Sequence, residues 1–152
     1  MPVLIENILA HDGHLDLGGR EIERLELQWF EATKPVLRKE TSRGTEVAVR
    51  FLRQGQRLRQ GDVLYLDEQK AIVVDILPCK AIQVKPATML EMGIACYEIG
   101  NKHLPTFIQD DAILLPYEEP IFKWLESKGF KPEQVVAKLL NLINATVTPH
   151  AH

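Results

Sequence analysis

The chain has 152 residues, of which 45% are hydrophobic and 26% are charged, and its formal net charge is −3. This length suits one domain of ordinary size or two small ones, and the composition is that of a folded protein rather than a disordered one. The slightly acidic balance argues against nucleic acid as the main partner, because phosphate neutralisation needs a clustered basic surface. No apolar run reaches the roughly 18 residues of a membrane helix.

The first half of the chain has the pattern of half-buried strands. Apolar and polar residues alternate in the runs 25–30 and 47–51. Turn-forming pairs separate such runs: Asp12-Gly13, Gly18-Gly19, Arg43-Gly44 and Gly61-Asp62. Several short strands at this spacing predict an all-β domain, a small sandwich or barrel, which we place at residues 1–75.

The second half opens with a predicted strand at 81–85 and a helix that follows it. Thr88 and Glu91 form a capping box, in which the Thr88 hydroxyl accepts a hydrogen bond from the Glu91 backbone N–H while the Glu91 carboxylate bonds back to the start of the helix. Gly100 stands where a C-terminal cap needs a positive φ. The first helix is therefore expected to run from residue 89 to about residue 100.

One face of this helix carries large apolar side chains. Leu90, Ile94 and Tyr97 recur at helical spacing, so they share a face, and we predict that this face is buried. A second row contains mostly small residues, which permit close approach of another backbone. This small-residue row consists of Met89, Gly93, Cys96 and Gly100. The row fits a contact between two copies of the chain, or packing on the domain's own sheet.

A hairpin and a second helix are predicted next. The apolar runs 106–109 and 112–115 are joined by Asp110-Asp111, a weaker turn pair than Asp-Gly. The acidic residues and proline at 118–120 favour the first turn of a helix, and Gly129 ends it. Residues after Lys131 fit either a helix or a strand, and a strand there would complete a ferredoxin-like βαββαβ unit.

Five histidines are the candidate metal ligands: His11, His14, His103, His150 and His152. The pair His150-Ala-His152 is either a short chelator of a borderline divalent ion or a solvated tail without a role. His11 and His14 are better explained by a turn between strands. His103 lies on a predicted loop between a helix and a strand, a common place for functional groups.

A single loop imidazole cannot form a metal site in a monomer, but a twofold dimer presents it twice. Other chemistry finds no support in the sequence: there is no Gly-x-Ser-x-Gly, P-loop or Gly-x-Gly-x-x-Gly motif, and no catalytic or cofactor-binding residue is assigned. Cys79 and Cys96 form neither a disulfide framework nor a metal-binding pair. The N-terminus lacks the features of a secretory signal, so a cytoplasmic protein is expected.

The segment Met89–Pro105, MLEMGIACYEIGNKHLP, resembles the characteristic motif of the UreE-type urease accessory proteins, which are nickel metallochaperones. Its most specific part is Gly-Asn-Lys-His-x-Pro. The segments 37–41 and 61–65 support the resemblance, which covers nearly the whole chain. The resemblance implies an α+β protein: an N-terminal all-β domain similar to peptide-binding modules, followed by a ferredoxin-like βαββαβ domain at residues 76–149 whose last strand lies after Gly129.

The resemblance also implies a function and partners. Family members are homodimers that share a metal between the two loop histidines, here two copies of His103. His150 and His152, in a tail at residues 150–152, match in short form the histidine-rich tails of many members. The implied cargo is nickel (Ni²⁺), with Zn²⁺ and Cu²⁺ as other ions for the same site. Metal-linked tetramers are a further form that this site permits.

The implied partners are the urease apoprotein complex and its accessory GTPase, with no nucleic acid and no membrane. The alternative hypothesis is a non-enzymatic interaction scaffold, which binds peptides through its β domain and carries no functional metal. Where some members have extra histidines after the hairpin, this chain has Tyr117-Glu-Glu-Pro120, which argues against an auxiliary metal site there.

Overall fold

Ten strands and two helices make up the part of the chain that the computed structural model describes, residues 1–11, 16–53 and 55–143. The chain divides into two units, the first comprising Met1–Leu77 and the second beginning at Pro78. The strands of the first unit are β1 (Val3–Ile5), β2 (Glu21–Leu27), β3 (Val36–Glu40), β4 (Glu46–Arg50), β5 (Val63–Leu66) and β6 (Lys70–Ile76). The second unit contains β7 (Cys79–Val84), α1 (Met89–Asn101), β8 (Phe107–Gln109), β9 (Ala112–Pro116), α2 (Glu119–Ser127) and β10 (Glu133–Ala137).

Two three-stranded sheets form the first unit, with strand orders β1-β4-β3 and β2-β6-β5. Every second residue from Glu23 to Leu27 is buried on β2, as the alternation predicts. The predicted strand at 25–30 is too long, because β2 ends at Leu27 and residues 29 and 30 lie in a turn. The prediction of an all-β N-terminal domain is confirmed.

A buried carboxylate connects two strands, β2 and β6, with the loop between β3 and β4. Glu23 is only 4% exposed. The hydroxyls of Thr41 and Thr45 each donate to its Oε1 at 2.7 Å, and Lys70 Nζ lies 2.9 Å from its Oε2. These hydrogen bonds, that from Thr41 foremost, lower the pKa of Glu23 from 4.5 to about 2 against the opposing effect of burial.

The Glu23 network predicts an acid-sensitive first unit. A carboxylate whose pKa is lower in the folded than in the unfolded state stabilises the folded protein when it is ionised. This stabilisation is complete above about pH 4.5 and is lost as the pH falls towards 2. Glu23→Gln should lower the free energy of unfolding at pH 7 by about 1.5–3 kcal/mol, the usual contribution of hydrogen bonds to a charged group. The difference from the wild type should shrink between pH 4.5 and 2.

Urea unfolding followed by Trp29 fluorescence would measure this, with Trp124→Phe in both proteins so that only the tryptophan of the first unit reports. Glu26→Gln, on an exposed position of the same strand, is the matched control. An equal difference between wild type and Glu23→Gln at pH 7 and pH 2.5 would contradict the assignment.

The second unit has the order βαββαβ, with a four-stranded antiparallel sheet ordered β10-β7-β9-β8. The ferredoxin-like prediction is therefore confirmed. The ambiguous segment after Lys131 contains the last strand, since β10 pairs along its length with β7, from Glu133 opposite Gln83 to Ala137 opposite Cys79. Its apolar residues have helical spacing, but the segment forms a strand because it pairs with β7, which is distant in sequence.

The hairpin between β8 and β9 also agrees with expectation. Asp110 and Asp111 both have positive φ, 53° and 59°. Positive φ at both central residues defines the type I′ turn, whose twist matches that of the flanking strands. The Asp-Asp pair therefore closes the hairpin at the predicted position.

Core packing places α1 differently from the sequence prediction. The core cluster of this unit consists of Ile82, Val84, Ala95, Ile99, Ile113, Leu115 and Leu125. The helix contributes Ala95 and Ile99, while Leu90, Ile94 and Tyr97 are exposed. The prediction of a buried Leu90–Ile94–Tyr97 face is wrong, because spacing shows which residues share a face but not which face meets the sheet.

The two ends of α1 are defined by specific hydrogen bonds. Glu91 N donates to Thr88 Oγ1 at 3.1 Å, which confirms the N-terminal cap. The Glu91 carboxylate accepts from the Ala87 N–H, one residue before the cap, at 2.7 Å. The Gly100 prediction is wrong: Gly100 is helical, and the positive φ of 57° belongs to His103. No helix in the described ranges is long and apolar enough to cross a membrane.

Candidate metal centre

His103 occupies an exposed corner directly after α1. The helix ends at Asn101, Lys102 is its cap, and His103 takes up the left-handed backbone conformation. Its N–H donates to Gly100 O at 3.0 Å, which satisfies one of the last carbonyls of the helix. Histidine is one of the few non-glycine residues enriched in this conformation. The imidazole is therefore presented to solvent from a backbone position defined by the helix end.

The His103 loop, residues 102–106, is attached to the rest of the domain at several points. Lys102 N donates to the carbonyl of the buried Ile99 at 3.1 Å, and Lys102 Nζ lies 4.6 Å from the centroid of the Trp124 ring on α2. Leu104 packs against the core, and its carbonyl accepts from the Thr106 hydroxyl at 2.9 Å. A cation above an aromatic ring is attracted to its face, which draws the Lys102 ammonium onto α2.

A large apolar surface lies on the helix that precedes His103. This apolar face consists of Met89, Leu90, Ile94 and Tyr97, which are 91%, 73%, 48% and 71% exposed. Within the small-residue row, Gly93 and Gly100 are also exposed, and a Cβ added at either would meet nothing within 4 Å. The alternative that this row packs on the domain's own sheet is therefore wrong for Met89, Gly93 and Gly100.

The last described residues lie beside the His103 loop. Ile143 N donates to Thr106 O at 2.8 Å, and Ile108 N donates to Asn141 O at 3.2 Å. The segment 141–143 therefore runs antiparallel to β8 along its outer edge, towards the end of the strand nearest His103. His150 and His152 lie outside the described residues.

The other histidine that is described has a structural partner. His11 Nδ1 is 2.8 Å from Oδ1 of Asp62, whose side chain is fully buried and whose Oδ2 accepts from Arg59 N at 2.8 Å. This contact joins residue 11 to the start of β5. His14 and the predicted turn around it lie outside the described residues.

The ligand set of one chain is incomplete within the described residues. Across 1–11, 16–53 and 55–143, no group of three or more His, Cys, Asp or Glu side chains could hold a metal ion. Cys79 and Cys96 are free and partly buried, and burial raises the pKa of both thiols, which keeps them protonated at neutral pH. A metal ion bound at His103 would need further ligands from a second chain or from outside the described ranges.

Comparison with known proteins identifies the family. Residues 5–77 match the N-terminal domain of the UreE urease accessory protein, and residues 79–152 match its C-terminal domain. The two matches together span nearly the whole chain. The chain belongs to the UreE urease accessory protein family, as the Met89–Pro105 segment indicated.

Individual relatives match this chain over most of their lengths. A protein of Flavobacterium johnsoniae named urease accessory protein UreE is 54% identical over 150 residues, covering 99% of this chain and 91% of the relative. Proteins of the same name from Haemophilus influenzae and Acetivibrio thermocellus are 43% and 36% identical, over 146 and 150 residues. The alignments cover 93% and 99% of this chain, and 79% and 97% of those relatives.

Proposed function

We propose that the protein is a homodimeric nickel carrier that delivers Ni²⁺ during assembly of the urease metal centre, with one His103 from each protomer at a shared site. The observation that carries this proposal is the position of His103: an exposed imidazole on a defined helix end, next to an apolar helix face that the chain itself leaves uncovered. Membership of the urease accessory family supports the same role.

The apolar face explains why a dimer is expected. Four large apolar side chains on one helix surface form the kind of contiguous patch that marks an interaction site. A second copy related by a twofold axis would cover the face with the same face of its partner, and the exposed glycines Gly93 and Gly100 permit close approach of the two helices. Since His103 follows this helix by two residues, the pairing would bring two imidazoles to the same end of the interface.

The proposed ligand chemistry suits transport. Imidazole nitrogen is a good ligand for Ni²⁺, and equally for Zn²⁺ and Cu²⁺, which are alternative ions for the site. Two histidines leave coordination positions open, through which a receiving protein can take the ion. A closed protein cage would release it more slowly.

The tail histidines are proposed as additional ligands. From Ile143, whose N–H is bonded beside Thr106, residues 144–150 can span up to roughly 23 Å at about 3.3 Å per residue. His150 and His152 are therefore within reach of the His103 loop. Deleting residues 150–152 should weaken nickel binding without abolishing it, since the loop pair remains.

The wider role follows from this assignment. We propose that residues 76–149 bind metal and dimerise, that the β domain at 1–75 contacts partner proteins, and that the tail at 150–152 assists capture. The partners are the urease apoprotein complex and its accessory GTPase, with neither nucleic acid nor membrane, and metal-linked pairs of dimers are a further form. The protein is not itself an enzyme, and its free thiols fit the cytoplasm.

Nickel titration of the tag-free protein tests the proposal. Calorimetry should show one tight Ni²⁺ per two chains, because each ion needs a His103 from both protomers. Zn²⁺ added to the nickel-loaded dimer should compete for the same site. A pure interaction scaffold would take up no tight metal, and one ion per chain would contradict a site shared on the twofold axis.

A further inference from the structure

The connection that follows β10 has an unusual partner. Gln109, the last residue of β8, donates from Nε2 to Lys138 O at 2.7 Å. Its Oε1 accepts from Leu140 N at 3.0 Å and from Asn141 N at 3.3 Å. One side-chain amide thus bonds three backbone groups of a segment about thirty residues further along the chain.

These bonds hold the segment that follows β10, the last strand of the sheet. β10 and β8 are opposite edges of the sheet, so the chain must cross from one edge to the other between Ala137 and Asn141. Crossing segments lack a strand neighbour, and their backbone groups still require hydrogen-bond partners. Glutamine supplies both a donor and an acceptor on one side chain, which meets this requirement at the crossing.

Beyond the crossing, the chain is directed towards His103. After Gln109 has bonded Asn141 N, the segment 141–143 runs antiparallel to β8 and ends with Ile143 N bonded to Thr106 O. Thr106 is three residues from His103. The last nine residues of the chain, which carry His150 and His152, therefore start beside the proposed nickel site.

We propose that Gln109 is a positioning residue, which holds the start of the C-terminal segment beside the His103 loop so that His150 and His152 reach the nickel ion. The inference rests on the proposed function, in which the tail supplies ligands. A tethered ligand binds with an effective concentration set by where its tether begins and how long it is. Releasing the tether at 138–141 lengthens it and lowers that concentration.

A double-mutant cycle of four tag-free proteins tests the inference: wild type, Gln109→Met, the deletion of residues 150–152, and both changes together. Methionine keeps the length of the side chain and removes its hydrogen bonds. Nickel affinity, measured by competition with a chelator, should fall about two- to threefold for Gln109→Met in the full chain, because the tether to His150 then starts near Ala137 instead of Ile143 and the effective concentration falls roughly as the −3/2 power of tether length. In the truncated protein the same substitution should have no effect.

Hydrogen exchange supplies a readout that does not depend on metal. Without nickel, Gln109→Met should speed exchange at the Leu140 and Ile143 amides and leave the buried Ile113 and Leu115 amides of β9 unchanged. Gln134→Met, at an exposed glutamine of β10 in the same sheet, is the matched control and should change neither exchange nor affinity. If Gln109→Met does not fold, Gln109→Glu takes its place: it keeps the acceptor oxygens and loses the bond to Lys138 O, and its loss of nickel affinity should likewise be absent in the truncated protein.

The outcomes separate the inference from the function on which it rests. An equal loss of affinity in full-length and truncated chains would mean that Gln109 acts on the His103 site or on the fold, and would overturn the inference. The inference would also be overturned if deleting residues 150–152 weakened nickel binding while Gln109→Met did not. In that case the proposal that the tail supplies ligands would still hold. If deleting the tail changes nothing while His103→Ala abolishes binding, the tail ligands fail together with the inference, and the loop site stands.

Discussion

Replacing His103 with alanine is expected to abolish the tight nickel site while leaving the dimer intact. One substitution removes an imidazole from each protomer, and with them both ligands that the loops contribute. Residues that only orient a metal ligand typically change affinity by about 10- to 100-fold, so loss of two direct ligands should exceed about a hundredfold. The side chain is exposed, and its loss creates no cavity in the core.

The backbone at residue 103 calls for a second variant. Because His103 has a φ of 57°, alanine is strained there, whereas asparagine adopts this conformation readily. His103→Asn should therefore lose nickel binding with less effect on stability than His103→Ala. His14→Ala, which removes another imidazole from the same chain, is the control for non-specific histidine binding. A folded His103→Asn dimer with wild-type nickel affinity would exclude His103 as a ligand.

A charge on the apolar face should separate the protomers and, with them, the nickel site. Ile94 belongs to this face and is half exposed in the single chain, so Ile94→Lys costs the isolated fold little. In a dimer that covers the face, the ammonium would be buried without a partner, at a cost of several kcal/mol. Since about 1.4 kcal/mol is tenfold in affinity, the dimer should dissociate at concentrations at least a hundredfold higher than the wild type.

Sedimentation measurements over a range of concentrations would determine the dimer constant, and the nickel titration would follow on the same samples. The monomeric variant should bind no tight nickel, because one His103 alone remains. Gln134→Lys, which adds the same single positive charge at an exposed position of β10, is the matched control and should remain dimeric. If the Ile94→Lys protein is still a dimer, the apolar face of α1 is not the dimer interface.

Local interactions account for what could be predicted in the second unit. The cap between Thr88 and Glu91 spans three residues, and the turn at Asp110 and Asp111 is set by the two residues themselves. Such contacts form between neighbours in the chain, so residue type and spacing suffice to predict them. The alternation along β2 was informative for the same reason, since it has one buried face.

The sequence predictions are wrong where the local structure depends on residues that are distant in the chain. Leu90, Ile94 and Tyr97 share a face of α1, but the sheet packs on Ala95 and Ile99 instead. A helix with apolar residues on two sides can bury either, and the sheet it meets makes the selection. The end of α1 is a similar case: Gly100 is a good cap by residue type, yet the helix continues past it and the left-handed position falls on His103.

The sequence by itself determined the family, the order of most elements and the histidine on which the nickel proposal depends, because these follow from motifs and from local periodicity. Only the tertiary structure decided that the segment after Lys131 is a strand, that the apolar face of α1 is uncovered, and that Gln109 bonds the segment 138–141, which continues to Thr106 beside the His103 loop. Each of these depends on contacts between residues far apart in the chain. Such contacts have no fixed spacing, and only the folded chain brings their partners together.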